Sequence, residues 1–171
     1  MKKILILDTS ILCTWLRVNG KETCGPDNNR WDYHRVNEKI NDEIKQDTTL
    51  VLPLAAIIET GNHIAQCSGD RFALANSFTN FIKNAAEEAT PWAAFTHQSD
   101  LWNKDGLKNL ADRWKETAVA GQSLGDASIV DEANYYAEAG NQVEILTGDQ
   151  GLKSYEPLNK PMIPRRREHK S

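Results

Sequence analysis

Four acids stand where this chain could do chemistry. Asp8 follows four consecutive aliphatic residues, Ile4 to Leu7, a run that reads as a strand buried on both faces, as central parallel strands are. Asp149 follows a second apolar run, Val143 to Thr147, within Thr-Gly-Asp-Gln-Gly. Asp126 falls on the stripe that Ile129, Val130, Ala133, Tyr136 and Ala137 make on a helix predicted over 125–139. Glu59 lies in a helix predicted over 54–67. Ligands of an open parallel sheet bind beyond the carboxyl ends of its strands, and all four acids can reach that rim. Gathered carboxylates repel and raise one another's pKa. The usual compensation is a hard divalent cation with oxygen ligands, Mg²⁺ or Mn²⁺.

Each acid also has a plainer explanation. Asp8, before Thr9 and Ser10, is a good helix N-cap. Glu59 falls with Asn62 and His63 opposite the face made by Leu54, Ile57, Ile58, Ile64 and Ala65, which predicts an exposed acid, with Gly61 on the apolar side. Ser123-x-x-Asp126 has the residue types of a capping box, and an acid in the first turn suits the helix dipole. Even so, a charge on a core-facing stripe is costly unless it is paired, hydrogen-bonded or bound to metal. Turn chemistry by itself accounts for an Asp at 149.

Strands and helices must alternate for the acids to meet. Beyond the first strand the pattern predicts a helix over 9–17, a Gly-, Pro-, Asp- and Asn-rich loop over 19–29, and a polar helix over 30–46 with Val36, Ile40 and Ile44 inside. A strand at 50–52 follows, then helices over 54–67 and 70–88, the second around Phe72, Leu74, Phe78, Phe81 and Ile82. The stretch 90–95 reads as strand or loop, and 99–119 as a helix with Leu101, Leu107, Leu110 and Trp114 inside. The helix over 125–139, ended by Gly140 and Asn141, leads to the strand at 143–147 and a short helix. Such alternation predicts one α/β/α domain with a parallel sheet.

At 171 residues the chain can bury about 70% of its unfolded surface without staples. Its three cysteines, Cys13, Cys24 and Cys67, have no paired spacing and predict reduced thiols in the cytoplasm. No apolar run is long enough to span a membrane, and no signal peptide precedes the first strand. The net charge of −4 argues against a nucleic-acid coat protein but not against a nuclease whose site is built of carboxylates. From Asn159 to Ser171 five Lys or Arg residues face one Glu, a basic tail that is either solvated or a phosphate-contacting or partner-binding arm. The tryptophans suit core and interface positions, with Trp31 open as a base-stacking platform. Gly-x-Gly-x-x-Gly is absent after the first strand, and so is a Gly-x-Ser-x-Gly elbow.

Taken together, Ile-Leu-Ile-Leu-Asp-Thr-Ser (4–10), Leu-Pro-Leu-Ala-Ala-Ile-Ile-Glu-Thr (52–60), Leu-Gly-Asp-Ala-Ser-Ile-Val (124–130) and Ile-Leu-Thr-Gly-Asp (145–149) make the chain resemble the PIN-domain ribonuclease family. The resemblance implies a Rossmann-like three-layer α/β/α sandwich over 1–157, with 158–171 as the tail. It assigns Asp8, Glu59, Asp126 and Asp149 to Mg²⁺ or Mn²⁺ binding and catalysis. Ser10 is a helper beside Asp8, and Asn62, His63, Arg165, Arg166 and Arg167 are further candidates around the site or on the substrate. The implied activity is endoribonuclease cleavage of RNA to a 3′-hydroxyl and a 5′-phosphate. The implied setting is a bacterial toxin–antitoxin pair, with an antitoxin or other regulatory protein as partner and a homodimer as a further option, or a related defence or RNA-processing nuclease. The rival is a non-catalytic module of the same fold that binds RNA or protein. Two features depart from the family: Gly151 stands where many members carry a further acid, and the segment 18–49 is longer than in compact members.

Overall fold

A computed structural model describes residues 1–93 and 95–158; the tail with Arg165, Arg166 and Arg167 lies outside the described residues. The strands are β1 (Lys3–Leu7), β2 (Thr49–Val51) and β3 (Gln142–Leu146). They form a parallel sheet in the order β2-β1-β3, with Ile4 opposite both Thr49 and Val143. The helices are α1 (Thr9–Leu16), α2 (Tyr33–Lys45), α3 (Leu54–Gln66), α4 (Arg71–Ala86), α5 (Lys104–Thr117), α6 (Leu124–Glu138) and the single turn α7 (Gln150–Lys153).

Side chains alternate across a strand, and on β1 both sets are buried. Leu5 and Leu7 enter one core with Ile11, Leu12, Val36, Ile40, Ala56, Ile64 and Phe78 from α1 to α4. Ile4 and Ile6 enter a second core with Ile129, Ala133 and Tyr136 of α6. Two cores on opposite faces of one sheet make the fold a three-layer α/β/α arrangement. Parallel strands demand crossovers, so every strand leaves its residues' carboxyl ends on the same rim. Pro91 and Ala93 bond to Leu50 on either side of a single parallel bridge at Trp92 (Leu50 N to Pro91 O, 2.9 Å; Ala93 N to Leu50 O, 2.8 Å). Of the stretch expected as strand or loop, residues 91–93 thus make one bridge beside β2, and Phe95 already belongs to a 3₁₀ segment.

Several helices differ from the sequence expectation, each for a local reason. The helix expected over 99–119 is broken: a 3₁₀ segment covers Phe95–Leu101, and Asn103 then caps α5 by accepting from Asp105 N and Gly106 N at 3.0 and 2.9 Å. Helix α2 starts at Tyr33, three residues late, because Asp32 accepts from Arg35 N and stops the helix there. Ile44 is exposed and Glu43 buried in its stead, and Phe72 and Leu107 are also exposed. On α3 the buried residues are Ala56, Thr60 and Ile64, while Ile58 and Ala65 are exposed. The face of α3 is therefore rotated from the expected one, because α1, α4 and α6 all pack on it.

At the amino end of the sheet, buried charge is fully paired. Lys3 and Lys39 both bond Glu43 and Glu144, with Lys39 at 2.7 and 3.0 Å and Lys3 at 2.9 Å from Glu144. Burial alone would raise the Glu43 carboxyl, but bonds from Lys3, Lys39 and Thr48 overcome it and hold it near 2. Glu132 of α6 is the opposite case. It is 2% exposed, its Oε1 has no hydrogen-bond partner among the described residues, and burial pushes its carboxyl up to about 8.

Candidate functional site

Asp8 sits at the end of β1, and its backbone N–H still belongs to the sheet through Leu146 O at 3.1 Å. Its side chain is buried and uses one oxygen for structure. Oδ2 accepts from Ser10 N (3.4 Å), Ser10 Oγ (2.7 Å) and Thr147 Oγ1 (2.7 Å). Oδ1 takes none of these bonds, so the N-cap role leaves an oxygen lone-pair set for a ligand. The two hydroxyls are themselves held, since Ser10 Oγ accepts from Gly148 N at 3.0 Å and Thr147 Oγ1 from Asp149 N at 2.9 Å. Asp8 and the Asp149 loop are thereby locked together across the ends of β1 and β3.

Asp149 caps α7, its Oδ1 accepting from Gly151 N and Leu152 N at 2.7 and 3.2 Å. The turn chemistry read from sequence is present, and its second oxygen stays free of bonds from the described residues. Asp126 is half-buried in the first turn of α6, where Ser123 Oγ accepts from its backbone N–H at 3.0 Å. Glu59 is half-buried rather than exposed. Its Oε2 accepts from Thr9 Oγ1 at 3.0 Å, and its Oε1 lies so close to Gly125 that a Cβ there would come within 2.3 Å. Glycine at 125 is what lets the Glu59 carboxylate lie against the start of α6.

The four acids act on one another. Burial pushes the Asp126 carboxyl above its ordinary range, Ser123 pulls the other way, and the charges of Asp8, Asp149 and Glu59 add to the rise. Among the described residues none of the four has a Lys or Arg partner. Asp126 and Asp149 share a cleft of about 270 Å³ with Ala120, Gly121, Gln122, Gly151, Leu152, Ser154 and Tyr155. His63, one turn beyond Glu59, is held below its ordinary pKa by partial burial and the charge of Lys21, against the pull of Glu59. Asn62 is exposed, and its side chain makes no hydrogen bond among the described residues.

Sequence reasoning did not single out four residues that shape this rim: Thr9, Gly125, Thr147 and Gly148. Thr147 and Gly148 lie inside the Ile-Leu-Thr-Gly-Asp motif, and that was the available signal. Gly148 also receives the long segment after α1. A Cβ on Gly148 would come within 2.7 Å of Cys24 Sγ and of Gly25 N. Cys24 pairs with Trp31 through an antiparallel bridge, and at its other end the same segment presses Asn19 against Gly69. The segment is thus a strap across α1, tied by Thr14 Oγ1 to Lys21 O at 3.4 Å. Trp31 is half-buried with the Arg35 guanidinium 3.7 Å from its ring centre, so its face is occupied.

Among the described residues, no three His, Cys, Asp or Glu side chains stand close enough to hold one ion between them. The donor chemistry nevertheless suits a hard cation, for Mg²⁺ usually takes one or two carboxylates and completes its shell with water and phosphate oxygens. Unbonded oxygens on Asp8 and Asp149, and an Asp126 carboxyl raised first by burial and then by the charges of its neighbours, fit that sparse kind of site. No protein-family model, curated protein or solved structure matches this chain. Among the described residues no helix is long and apolar enough to cross a membrane.

Proposed function

We propose that this protein is a Mg²⁺- or Mn²⁺-dependent endoribonuclease. One observation carries the reading. The acids at the amino end of the sheet, buried Glu43 and half-buried Glu144, are each paired with two lysines, whereas the four at the carboxyl end have no Lys or Arg partner among the described residues, and the charges of the other three act on Asp126. Unpaired like charge is a standing cost, and a bound cation offsets it.

In this reading one or two of Asp8, Asp126 and Asp149 would hold the ion directly, and the remaining acids, Glu59 among them, would act through water. When bound, the ion supplies an acidified water and stabilises charge on the phosphodiester. Ser10 and Thr147 fix the Asp8 carboxylate by Oδ2 and keep Oδ1 turned to the ion's side. Gly125 and Thr9 keep Glu59 beside the first turn of α6. Half-burial of Asp126 limits water around the reacting phosphate and strengthens each charge interaction there. Cleavage leaves a 3′-hydroxyl and a 5′-phosphate, as in the family that the four motifs resemble. A toxin–antitoxin role is the finer form of the proposal, with the antitoxin supplying a cationic segment to the same acids.

The test is cleavage of mixed RNA by the purified protein, with Mn²⁺ or Mg²⁺ against EDTA, beside Asp8→Asn. Metal-dependent cutting that the variant loses supports the proposal. Neither cutting nor Mn²⁺ binding by the wild type overturns it in favour of a non-catalytic RNA- or protein-binding module.

A further inference from the structure

The cleft next to Asp126 and Asp149 has a second wall that is not acidic. Tyr155 and Gln122 line it, and the same two residues line a smaller neighbouring cavity of about 130 Å³ with Leu110, Trp114, Ala127 and Val130. Tyr155 is 42% exposed. Among the described residues it joins no aromatic pair and has no guanidinium over its ring, whereas Trp31 and Tyr33 are each covered by an arginine. Its backbone is fixed, because Tyr155 N donates to Leu152 O at 3.1 Å and Leu152 is buried in the core. An exposed ring on an anchored turn has little freedom left to lose when something stacks on it.

Gln122 is held in a similar way. Its N–H donates to Thr117 O at 3.2 Å, and its carbonyl accepts from Trp114 Nε1 at 3.0 Å. The main chain is therefore committed on both sides, and only the carboxamide stays without a hydrogen bond among the described residues. That carboxamide presents one donor beside one acceptor. An unpaired base offers the complementary acceptor and donor side by side on its free edge, as adenine does with N7 beside N6.

We propose that this cleft is a subsite for one unpaired nucleobase of the RNA, stacked on Tyr155 and hydrogen-bonded by the Gln122 side chain. The proposal rests on the ribonuclease reading and deepens it, since the flanking phosphate then lies at Asp126 and Asp149. Stacking a base on an open ring requires it to leave any duplex, so the substrate class is single-stranded RNA. Gly121 (φ +86°) and Gly151 line the cleft without adding side chains of their own.

The experiment is binding of short oligo-A, oligo-C and oligo-U RNA, and of oligo-A annealed to its complement, to the Asp8→Asn protein and to that protein carrying Tyr155→Leu, Tyr155→Phe or Gln122→Ala. Wild-type cleavage of the same strands runs in parallel. The expected result is binding of the single strand over the duplex, weakened about ten-fold by Tyr155→Leu and restored within about two-fold by Tyr155→Phe. Gln122→Ala is expected to weaken binding of all three single strands about three-fold while keeping most of the affinity. Equal binding of duplex and single strand, or Tyr155→Leu without effect in a protein whose melt is unchanged, overturns the subsite. The two readings separate: Tyr155-dependent binding in a protein that never cleaves keeps the base subsite and removes the nuclease, and cleavage indifferent to both residues does the reverse.

Discussion

Glu132 makes stability depend on pH in a direction opposite to that of most acids. It is buried on α6, its Oε1 is unpartnered among the described residues, and burial lifts its carboxyl from 4.5 to about 8. In the unfolded chain the group ionises at its ordinary value, so between the two values the folded state holds a proton that the unfolded state has released. Stability then falls as pH rises, by about 1.4 kcal/mol per unit, until the folded pKa is passed. At pH 7 the accumulated cost is about 3 kcal/mol, a large share of the stability of a domain this size. Glu132→Gln keeps the shape and removes the titration. Urea unfolding followed by circular dichroism, for wild type and variant at each pH from 5 to 8, isolates the effect as a difference and cancels every other titrating group. The expected difference grows in the variant's favour by about 1.4 kcal/mol per unit through the middle of that range and flattens as pH 8 is approached. Parallel stability profiles would refute the reasoning, because they would mean that the Glu132 carboxylate finds a partner or water on ionising.

Other perturbations probe the rim and the opposite pole. Asp126→Asn keeps the bond from its backbone N–H to Ser123 and removes one of four repelling charges, so the melting temperature is expected to hold or rise while Mn²⁺ affinity falls by about ten-fold or more, as calorimetry can read; a lower melting temperature would make capping the reason for the acid. Gly148→Ala sets a Cβ 2.7 Å from Cys24 Sγ and Gly25 N, and the strap must shift. A loss of about 1–3 kcal/mol in chemical unfolding is expected, and an unchanged midpoint would show that the strap yields freely. Glu43→Gln leaves Lys3 and Lys39 sharing Glu144 alone, with an expected loss of about 2 kcal/mol at neutral pH. Since the Glu43 carboxyl is held near 2, its contribution is present above the ordinary value and fades as pH falls from there toward 2. Acid unfolding curves that do not converge there would count against the pairing.

The parts of the site that were legible in sequence are those set by neighbours along the chain. An aliphatic run ending in Asp-Thr-Ser means a buried strand followed by a capped helix, whatever surrounds it. Ser123 three residues before Asp126 does form its cap, and Asp149 does make the turn at the end of β3. The two-sided burial of β1 was readable because no alternation of polar residues interrupts Ile4 to Leu7, and it made the three layers predictable. The face of α3 was not readable. A helix flanked on several sides has no single apolar stripe, so Ile58 came out exposed, Thr60 buried and Glu59 drawn inward against Gly125.

Sequence by itself determined the parallel sheet, its crossovers and the arrival of Asp8, Asp126 and Asp149 at one rim, because local periodicity and caps suffice for each. Tertiary structure alone decided how charge is settled. Nothing along the chain says that Lys3 meets Glu43, that Lys3 and Lys39 meet Glu144, or that Glu132 Oε1 is shut in without a partner among the described residues. Nor does it say that Thr147 bridges Asp8 and Asp149, or that the strap after α1 closes on Gly148. Such contacts join residues tens of positions apart, and their energies depend on burial and on which opposite charge lies near, quantities that exist only once the chain is folded.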